Sequence, residues 1–271
     1  MAEPSTAAPP AAWTYDPRPR RPDWGLYAPT LKLASMGHPI RQAPLPAEAV
    51  IPLGHALGLA RPLVSPGDHV LTGQPVGSDA AAAVHASITG TVVAVEPRPV
   101  PGRAAMHCVV IRRRDPEHFW PGLAATDPAG LTPEEIAAHI AAGGIVGLGG
   151  AMFPTAVKLQ PGRAIRALVV NGAECEPWIS CDEMLLRERA ASVIRGTRIM
   201  MRALGTQRAV IAVEADLPEP RVALADRLQA EADDRIGIAV VTAKYPAGGE
   251  RQLIELLTGE QVPSGGLPRD I

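Results

Sequence analysis

The chain has 271 residues with a formal net charge of −2, an apolar fraction of 46% and an aromatic fraction of 3%. This composition predicts a globular protein of one large or two smaller domains, with enough apolar side chains for a core. The near-neutral charge and the scarcity of aromatic side chains argue against nucleic-acid binding, and no apolar run approaches the roughly 18 residues that predict a membrane span.

The N-terminal segment is rich in proline, alanine and arginine. It predicts a disordered or extended arm over residues 1–30. The segment lacks the apolar core of a signal peptide, so we expect a cytosolic location.

Residues 31–115 predict a β domain with many turns, because short apolar runs alternate with glycine and proline. The string from Pro62 to Glu96 resembles the flattened β-barrel of biotinyl and lipoyl domains. Those carriers present a modifiable lysine at a hairpin tip, whereas the tip region Ser78–Val84 reads SDAAAAV. We therefore expect the barrel without the swinging-arm function. The predicted strands are Val50–Pro52, Arg61–Val64, His69–Leu71, Gln74–Val76 and Gly90–Val95.

Residues 131–271 predict alternating helices and strands, and hence an open, largely parallel α/β sheet. The sequence Thr132-Pro-Glu-Glu135 is a capping box that begins a helix, and Gly143-Gly144 ends it. Further helices are predicted at Asp182–Leu204, Pro218–Ala232 and Gly249–Leu257, and strands at Arg166–Val170, Arg208–Glu214 and Ile236–Thr242.

The carboxyl ends of these strands are the expected ligand-binding edge, since open α/β sheets bind ligands there. Asn171, Glu214 and the pair Lys244–Tyr245 all follow or end a predicted strand. The sequence therefore places polar side chains from three strands at one edge.

The segment Gly143–Lys158, GGIVGLGGAMFPTAVK, holds five glycines in its first eight residues and ends in one of only three lysines in the chain. Glycine runs let backbone N–H groups surround a phosphate, and a lysine supplies a compact positive charge. This segment predicts a loop that binds a phosphate-bearing cofactor.

Two common nucleotide-binding loops are excluded by the spacing of the glycines. A dinucleotide-binding turn needs G-x-G-x-x-G directly after a strand, whereas Gly147 begins G-L-G-G-A-M and the loop follows a helix. A Walker loop needs G-K-[ST], which the chain lacks.

The three cysteines, Cys108, Cys175 and Cys181, give no disulfide framework. Cys175 and Cys181 are six residues apart, which matches neither a zinc knuckle nor a ferredoxin cluster. We expect buried thiols and no metal site.

Three motifs follow one another in this order and carry a family resemblance. They are the glycine loop from Gly147 to Lys158, the turn NGAECEPW from Asn171 to Trp178, and YPAGGERQLI from Tyr245 to Ile254. Together they closely resemble RnfC (RsxC), the peripheral subunit of the Rnf electron-transport complex, and they are similar to the flavin-binding subunit of respiratory complex I. The resemblance covers about residues 30–271.

The resemblance implies a lipoyl-like barrel followed by a complex-I-like domain that binds FMN and NADH. It implies that the glycine loop and its lysine hold the flavin phosphate and ring, and that the other two motifs contact flavin or NADH. The implied cofactor-binding residues are Gly147, Gly149, Gly150, Lys158, Asn171, Glu174, Glu176, Tyr245, Gly248, Gly249 and Glu250.

The same resemblance implies a role in a membrane complex. The subunit would oxidise NADH on the cytoplasmic side of the inner membrane and pass electrons toward ferredoxin, coupled to ion translocation. Its implied partners are the other Rnf membrane subunits and a ferredoxin-type subunit. Family members also carry two [4Fe–4S] clusters, whose cysteine ligands are not in this sequence.

The sequence departs from the family at Met152, where the family loop Gly-Gly-Ala-Gly-Phe-Pro has its last glycine. Two other interpretations stay open. One is a flavoprotein resembling cobalamin reductase, which shares the flavin module. The other is a shortened, non-catalytic docking or assembly module of the same fold.

Overall fold

The computed structural model describes residues 22–122, 125–148 and 152–271, and divides them into two compact units. The barrel unit is Gln42–Gln160. The sheet unit combines Pro161–Ile271 with the described N-terminal residues 22–41. The domain boundaries given above stay predictions.

The described residues form both helices and strands. The helices are α1 (Leu33–Met36), α2 (Pro133–Ala142), α3 (Thr155–Lys158), α4 (Cys181–Glu188), α5 (Ala190–Leu204), α6 (Pro218–Ala230) and α7 (Glu250–Thr258). The strands are β1 (Glu48–Pro52), β2 (Gly54–His55), β3 (Gly58–Leu59), β4 (Arg61–Pro62), β5 (His69–Val70), β6 (Pro75–Ser78), β7 (Ala83–His85), β8 (Gly90–Val100), β9 (Arg103–Arg113), β10 (Leu168–Gly172), β11 (Ala209–Glu214) and β12 (Ile236–Val241). None of these helices combines the length and the apolarity that crossing a membrane requires.

The barrel unit is built from short antiparallel strands, as the sequence predicts. One sheet has the order β1-β9-β8-β5, a second has the order β4-β6-β7, and β2 pairs with β3. Each predicted strand overlaps an observed one, and the long hairpin of β8 and β9 closes at Gly102, which takes a φ of +71°. The core is packed from aliphatic side chains such as Val76, Val92 and Ile111.

The hairpin tip between β6 and β7 is fixed by Asp79 rather than by a lysine. Its Oδ1 accepts hydrogen bonds from the backbone N–H groups of Ala81 and Ala82, at 2.8 and 3.0 Å. Its Oδ2 lies 2.7 Å from Nε2 of the buried His55. This tip therefore has an internal polar anchor where a carrier domain would present its attachment residue.

Helix α2 begins with the predicted capping box. The Thr132 hydroxyl accepts the Glu135 N–H at 3.2 Å, and the Glu135 carboxylate accepts the Thr132 N–H at 2.8 Å. The helix ends at Gly143, and Gly144 then takes a φ of +65°. Only a glycine fits at position 144, because a Cβ there would lie 2.3 Å from the Ala83 carbonyl oxygen.

The sheet unit contains a three-stranded parallel sheet in the order β10-β11-β12. Side chains alternate between its two faces, since successive residues of a strand point in opposite directions. Ile211 and Val213 pack in one core with Ile194 and other side chains of α4, α5 and α6. Val210 and Ala212 pack in a second core with α7. The predicted α/β class is confirmed.

The predicted helix Asp182–Leu204 is wrong in one respect, because the chain forms two helices there. Arg189 leaves the helical conformation with φ of −127° and ψ of 26°, so α4 ends at Glu188 and α5 begins at Ala190. The end of α4 is held from elsewhere in the chain. The Ile40 N–H donates to the Glu188 carboxylate, and Arg187 donates to the Met36 carbonyl.

The N-terminal segment from residue 22 onward lies against the sheet. Leu26 and Tyr245 exchange backbone hydrogen bonds of 2.8 and 2.9 Å, and the Trp178 N–H donates to the Thr30 carbonyl at 2.8 Å. The rest of the predicted arm, residues 1–21, lies outside the described residues.

Candidate functional site

The carboxyl edge of the parallel sheet gathers residues from three chain segments. Strands β10, β11 and β12 end there at Gly172, Glu214 and Val241. Two of the predicted motifs continue directly from this edge: the turn that follows β10 and the Tyr245–Glu250 segment that leads into α7. Because parallel strands end on the same side, these segments lie side by side.

Asn171 and Cys175 join the two motifs. The Asn171 amide Nδ2 donates to the Gly248 carbonyl at 2.8 Å, and its Oδ1 accepts the Ala173 N–H at 3.1 Å. The Gly248 N–H donates in turn to the Cys175 sulfur at 3.3 Å. A Cβ at Gly248 would lie 2.1 Å from the Ala173 carbonyl oxygen, so this contact requires glycine.

The two glutamates of the turn have different surroundings. Glu174 is 5% exposed, and its carboxylate accepts hydrogen bonds from the Cys181 thiol and the Glu183 N–H, both at 3.0 Å. Glu176 is exposed, and one of its oxygens lies 3.8 Å from the Cys175 sulfur. Of these two carboxylates, the second faces solvent, where it can meet a ligand.

One group of possible metal ligands occurs among the described residues. Glu174, Cys181 and Asp182 place ligand atoms within 4.8 Å of one another. Burial and the Glu174 carboxylate raise the pKa of the Cys181 thiol to about 11, so this thiol keeps its proton at neutral pH. A cysteine binds a metal ion as the thiolate, and we therefore assign no metal to this group.

The third motif lies partly at the surface. Tyr245 is 46% exposed, and the residues that follow it turn into α7, whose N-cap is Gly249 and whose first residue is the exposed Glu250. The backbone N–H groups at the start of this helix face the same edge as Asn171, since Asn171 binds the Gly248 carbonyl beside them.

A buried ion pair completes the edge, and sequence reasoning missed half of it. Lys32 is 2% exposed; its Nζ lies 2.6 Å from Glu214 Oε2 and donates to the Glu174 carbonyl oxygen. Burial raises the pKa of Glu214 to about 7, and Lys32 opposes that rise. The signal was the rarity of lysine: Lys32 and Lys244, two of the three lysines in the chain, both lie in this unit and are both buried.

The glycine loop belongs to the barrel unit and is described by itself. The Gly147 N–H donates to the Phe153 carbonyl at 2.8 Å, and the Thr155 N–H donates to the Ile145 carbonyl at 3.0 Å, so the ends of the loop are closed. Lys158 lies in α3 with its Nζ 5.6 Å from the centre of the Phe153 ring. The predicted residues Gly149 and Gly150 lie outside the described residues.

Met152 takes a conformation that usually belongs to glycine. Its φ is +51°, in the left-handed region where a side chain costs free energy. Its carbonyl accepts the Ala56 N–H at 3.2 Å. The backbone conformation that a glycine would take without strain is therefore present in spite of the methionine.

Two family models match the chain in sequence. The model described as the RnfC barrel sandwich hybrid domain matches residues 23–116, and the model described as the Nuo51 FMN-binding domain matches residues 140–271. The order of the two matches is the order predicted from the motifs.

Curated relatives match almost the whole chain. The C-type subunit of the ion-translocating oxidoreductase complex of Pseudomonas aeruginosa is 42% identical over 255 residues, which cover 91% of this chain and 33% of that protein. The protein of the same name from Erwinia tasmaniensis is 38% identical, over 92% of this chain and 32% of its own length. The chain thus spans about a third of the length of these relatives.

A similar solved structure is the NAD+-reducing [NiFe]-hydrogenase in the H2-reduced state. It is 26% identical, covers 50% of this chain and 26% of its own, and has a TM-score of 0.40. The two family models and the relatives agree on the class of protein. The chain belongs to the RnfC family of ion-translocating oxidoreductase subunits and carries an FMN-binding domain of the complex I type.

Proposed function

We propose that this chain forms the FMN- and NADH-binding part of an RnfC-type subunit and oxidises NADH. Electrons would pass toward ferredoxin in a membrane complex that translocates ions. The chain would be peripheral, on the cytoplasmic side of the membrane. Other subunits of the complex and a ferredoxin-type subunit would be its partners, and the iron–sulfur clusters of the family would lie outside this sequence.

One observation carries the proposal. Asn171 and Cys175 hydrogen-bond to Gly248, so two family motifs that are about 75 residues apart form one continuous surface at the edge of the sheet where α/β proteins bind ligands. A pair of unrelated surface turns would have no reason to share these bonds.

The donors at this edge suit a flavin. The Asn171 amide uses one hydrogen on Gly248 and one lone pair on Ala173; an amide has a second hydrogen and a second lone pair, which can bind the polar rim of the ring. Tyr245 offers an exposed ring, and the N–H groups at the start of α7 are donors. We assign Asn171, Tyr245, Gly248, Gly249 and Glu250 to flavin contacts.

The glycine loop is proposed as the phosphate-binding element on its own residues. A Cβ at Gly147 would meet no atom nearer than 3.8 Å among the described residues, so its glycine is not explained by packing within them, and a closely approaching ligand explains it. Lys158 is exposed and supplies the positive charge, and we include Gly149 and Gly150 in the same role.

The two glutamates of the turn divide their tasks under this proposal. Glu174 holds the turn through Cys181 and Glu183, and it reaches a cofactor only through the shape of the turn. Glu176 is exposed, accepts hydrogen bonds from ribose hydroxyls and repels the extra phosphate of NADPH. FMN, when bound, supplies the hydride-accepting chemistry and can release electrons singly.

The test is the reduction of FMN-loaded protein. The purified chain is incubated with FMN, freed of unbound flavin and mixed anaerobically with NADH, while absorbance is followed at about 450 nm, where oxidised flavins absorb. We expect the protein to retain flavin and NADH to bleach it faster than NADPH. A preparation that stays colourless, or a bound flavin that NADH leaves oxidised, contradicts the proposal.

A further inference from the structure

Lys32 joins three separate segments of the chain with one ammonium group. It lies on the N-terminal segment, its Nζ pairs with Glu214 at the end of β11, and it donates to the carbonyl of Glu174 in the turn after β10. The partners are 142 and 182 residues away in sequence. A residue from the far end of the chain thus places a charged restraint on the backbone of the Asn171–Glu176 turn.

The pair is sealed from solvent. The side chains of Lys32 and Glu214 are 2% and 3% exposed. The other charged groups that act on Glu214 are the carboxylates of Asp216 and Glu174, which oppose its ionisation. The second oxygen of Glu214, Oε1, is buried without a hydrogen-bond partner among the described residues, so Lys32 is the group that holds this carboxylate in place.

The backbone on both sides of this contact is held in unusual conformations. Leu31, directly before Lys32, has a φ of +52°, and Trp178, directly after the turn's proline, has a φ of +70°. Such conformations persist only where surrounding contacts impose them, and they concentrate at functional sites. The Trp178 N–H donates to the Thr30 carbonyl, so both strained residues belong to one clamp between the N-terminal segment and the turn.

We propose that Lys32 is a positioning residue: by holding the Glu174 carbonyl and the Glu214 carboxylate together, it sets the conformation of the Asn171–Glu176 turn that presents Asn171 and Glu176 to their ligands. The importance of this conformation for FMN rests on the proposed function. The effect on the turn itself does not.

Hydrogen–deuterium exchange tests the effect on the turn without any cofactor. The variants are Lys32→Met, which keeps the length of the side chain and removes the charge, and the double variant Lys32→Met/Glu214→Gln. The double variant leaves no unpaired buried charge, so it still decides the question if the single variant fails to fold. Exchange in helix α5 is the internal reference for general loosening.

We expect the turn's amides to exchange about tenfold faster or more in both variants, with little change in α5, because the Glu174 carbonyl has lost its donor in each. Wild-type exchange in the turn of Lys32→Met, or its return in the double variant, overturns the proposal. Equal acceleration in α5 also overturns it, since the lysine would then only stabilise the fold.

FMN affinity supplies the second readout, measured by the quenching of flavin fluorescence. Lys32→Met should weaken binding by about tenfold or more, and the double variant should not restore it. The matched control is Lys244→Met: Lys244 is also buried, but it donates to the Pro22 carbonyl and not to the turn. The control should change affinity by less than about threefold.

The two proposals fail in different ways. If the wild-type chain binds no FMN, the proposed function is wrong, and the exchange data alone decide on Lys32. If the wild type binds FMN and Lys32→Met binds it equally well, the positioning role is wrong while the proposed function stands.

Discussion

At the scale of single residues, the turn after β10 separates two glutamates that look alike in sequence. Glu174 and Glu176 lie two residues apart in NGAECEP, and the resemblance gives both the same role. The structure buries Glu174 against Cys181 and leaves Glu176 exposed. Sequence could not distinguish them, because burial here depends on α4, which begins five residues after Glu176.

This difference predicts which glutamate selects the nucleotide. Glu176→Gln removes a solvent-facing charge, so we expect the rate with NADPH relative to NADH to rise by roughly tenfold, which corresponds to about 1.4 kcal/mol. Anaerobic reduction of the FMN-loaded variant by each nucleotide measures the ratio. Asp226→Asn, which removes an exposed charge on α6, serves as the control. An unchanged ratio in Glu176→Gln would assign the selection elsewhere.

Glu214 predicts a pH dependence of stability. Its pKa in the folded protein is about 7, above the ordinary value of 4.5, because it is buried. The folded state therefore holds this proton more tightly than the unfolded state. The resulting stabilisation is fully present below about pH 4.5 and is lost as the pH rises through about 7.

The measurement compares the free energy of unfolding of the wild type and of Glu214→Gln from pH 5 to pH 8. The wild type should lose stability relative to the variant over this range, by an amount on the order of 3 kcal/mol at most. Other titrating groups cancel in the difference. A difference that is flat, or that grows with pH, would show that Glu214 does not carry the raised pKa.

At the scale of elements, local signals predicted what local contacts determine. The capping box of α2 was predicted from Thr132-Pro-Glu-Glu135, and the structure confirms both of its hydrogen bonds. The break between α4 and α5 at Arg189 was missed. It coincides with contacts to Met36 and Ile40, which lie about 150 residues away in sequence and leave no mark in the helical pattern.

The capping box gives a stability prediction. Thr132→Ala removes the acceptor of the Glu135 N–H and should lower the free energy of unfolding by about 1 kcal/mol. Thr132→Ser keeps the hydroxyl and should lie within about 0.5 kcal/mol of the wild type. Urea denaturation of the three proteins provides the comparison. Equal losses in both variants would mean that the threonine acts through its methyl group instead.

At the scale of the whole molecule, the order and class of the two parts followed from sequence. Glycine and proline spacing predicted the barrel strands, and alternating helix and strand patterns predicted the parallel sheet. The return of the N-terminal segment to the sheet could not be predicted, since it depends on an ion pair between residues 182 positions apart. The resemblance supplied the site, and the structure joins its second and third motifs through Asn171 and Cys175.

The central claim is that FMN binds at the carboxyl edge of this sheet. Titration of FMN fluorescence with the wild-type chain and with Asn171→Ala tests it most directly, with thermal unfolding as a check that the variant is folded. We expect saturable binding by the wild type and about tenfold weaker binding by the variant. Absence of binding by the wild type, or equal affinity in folded Asn171→Ala, would contradict the claim.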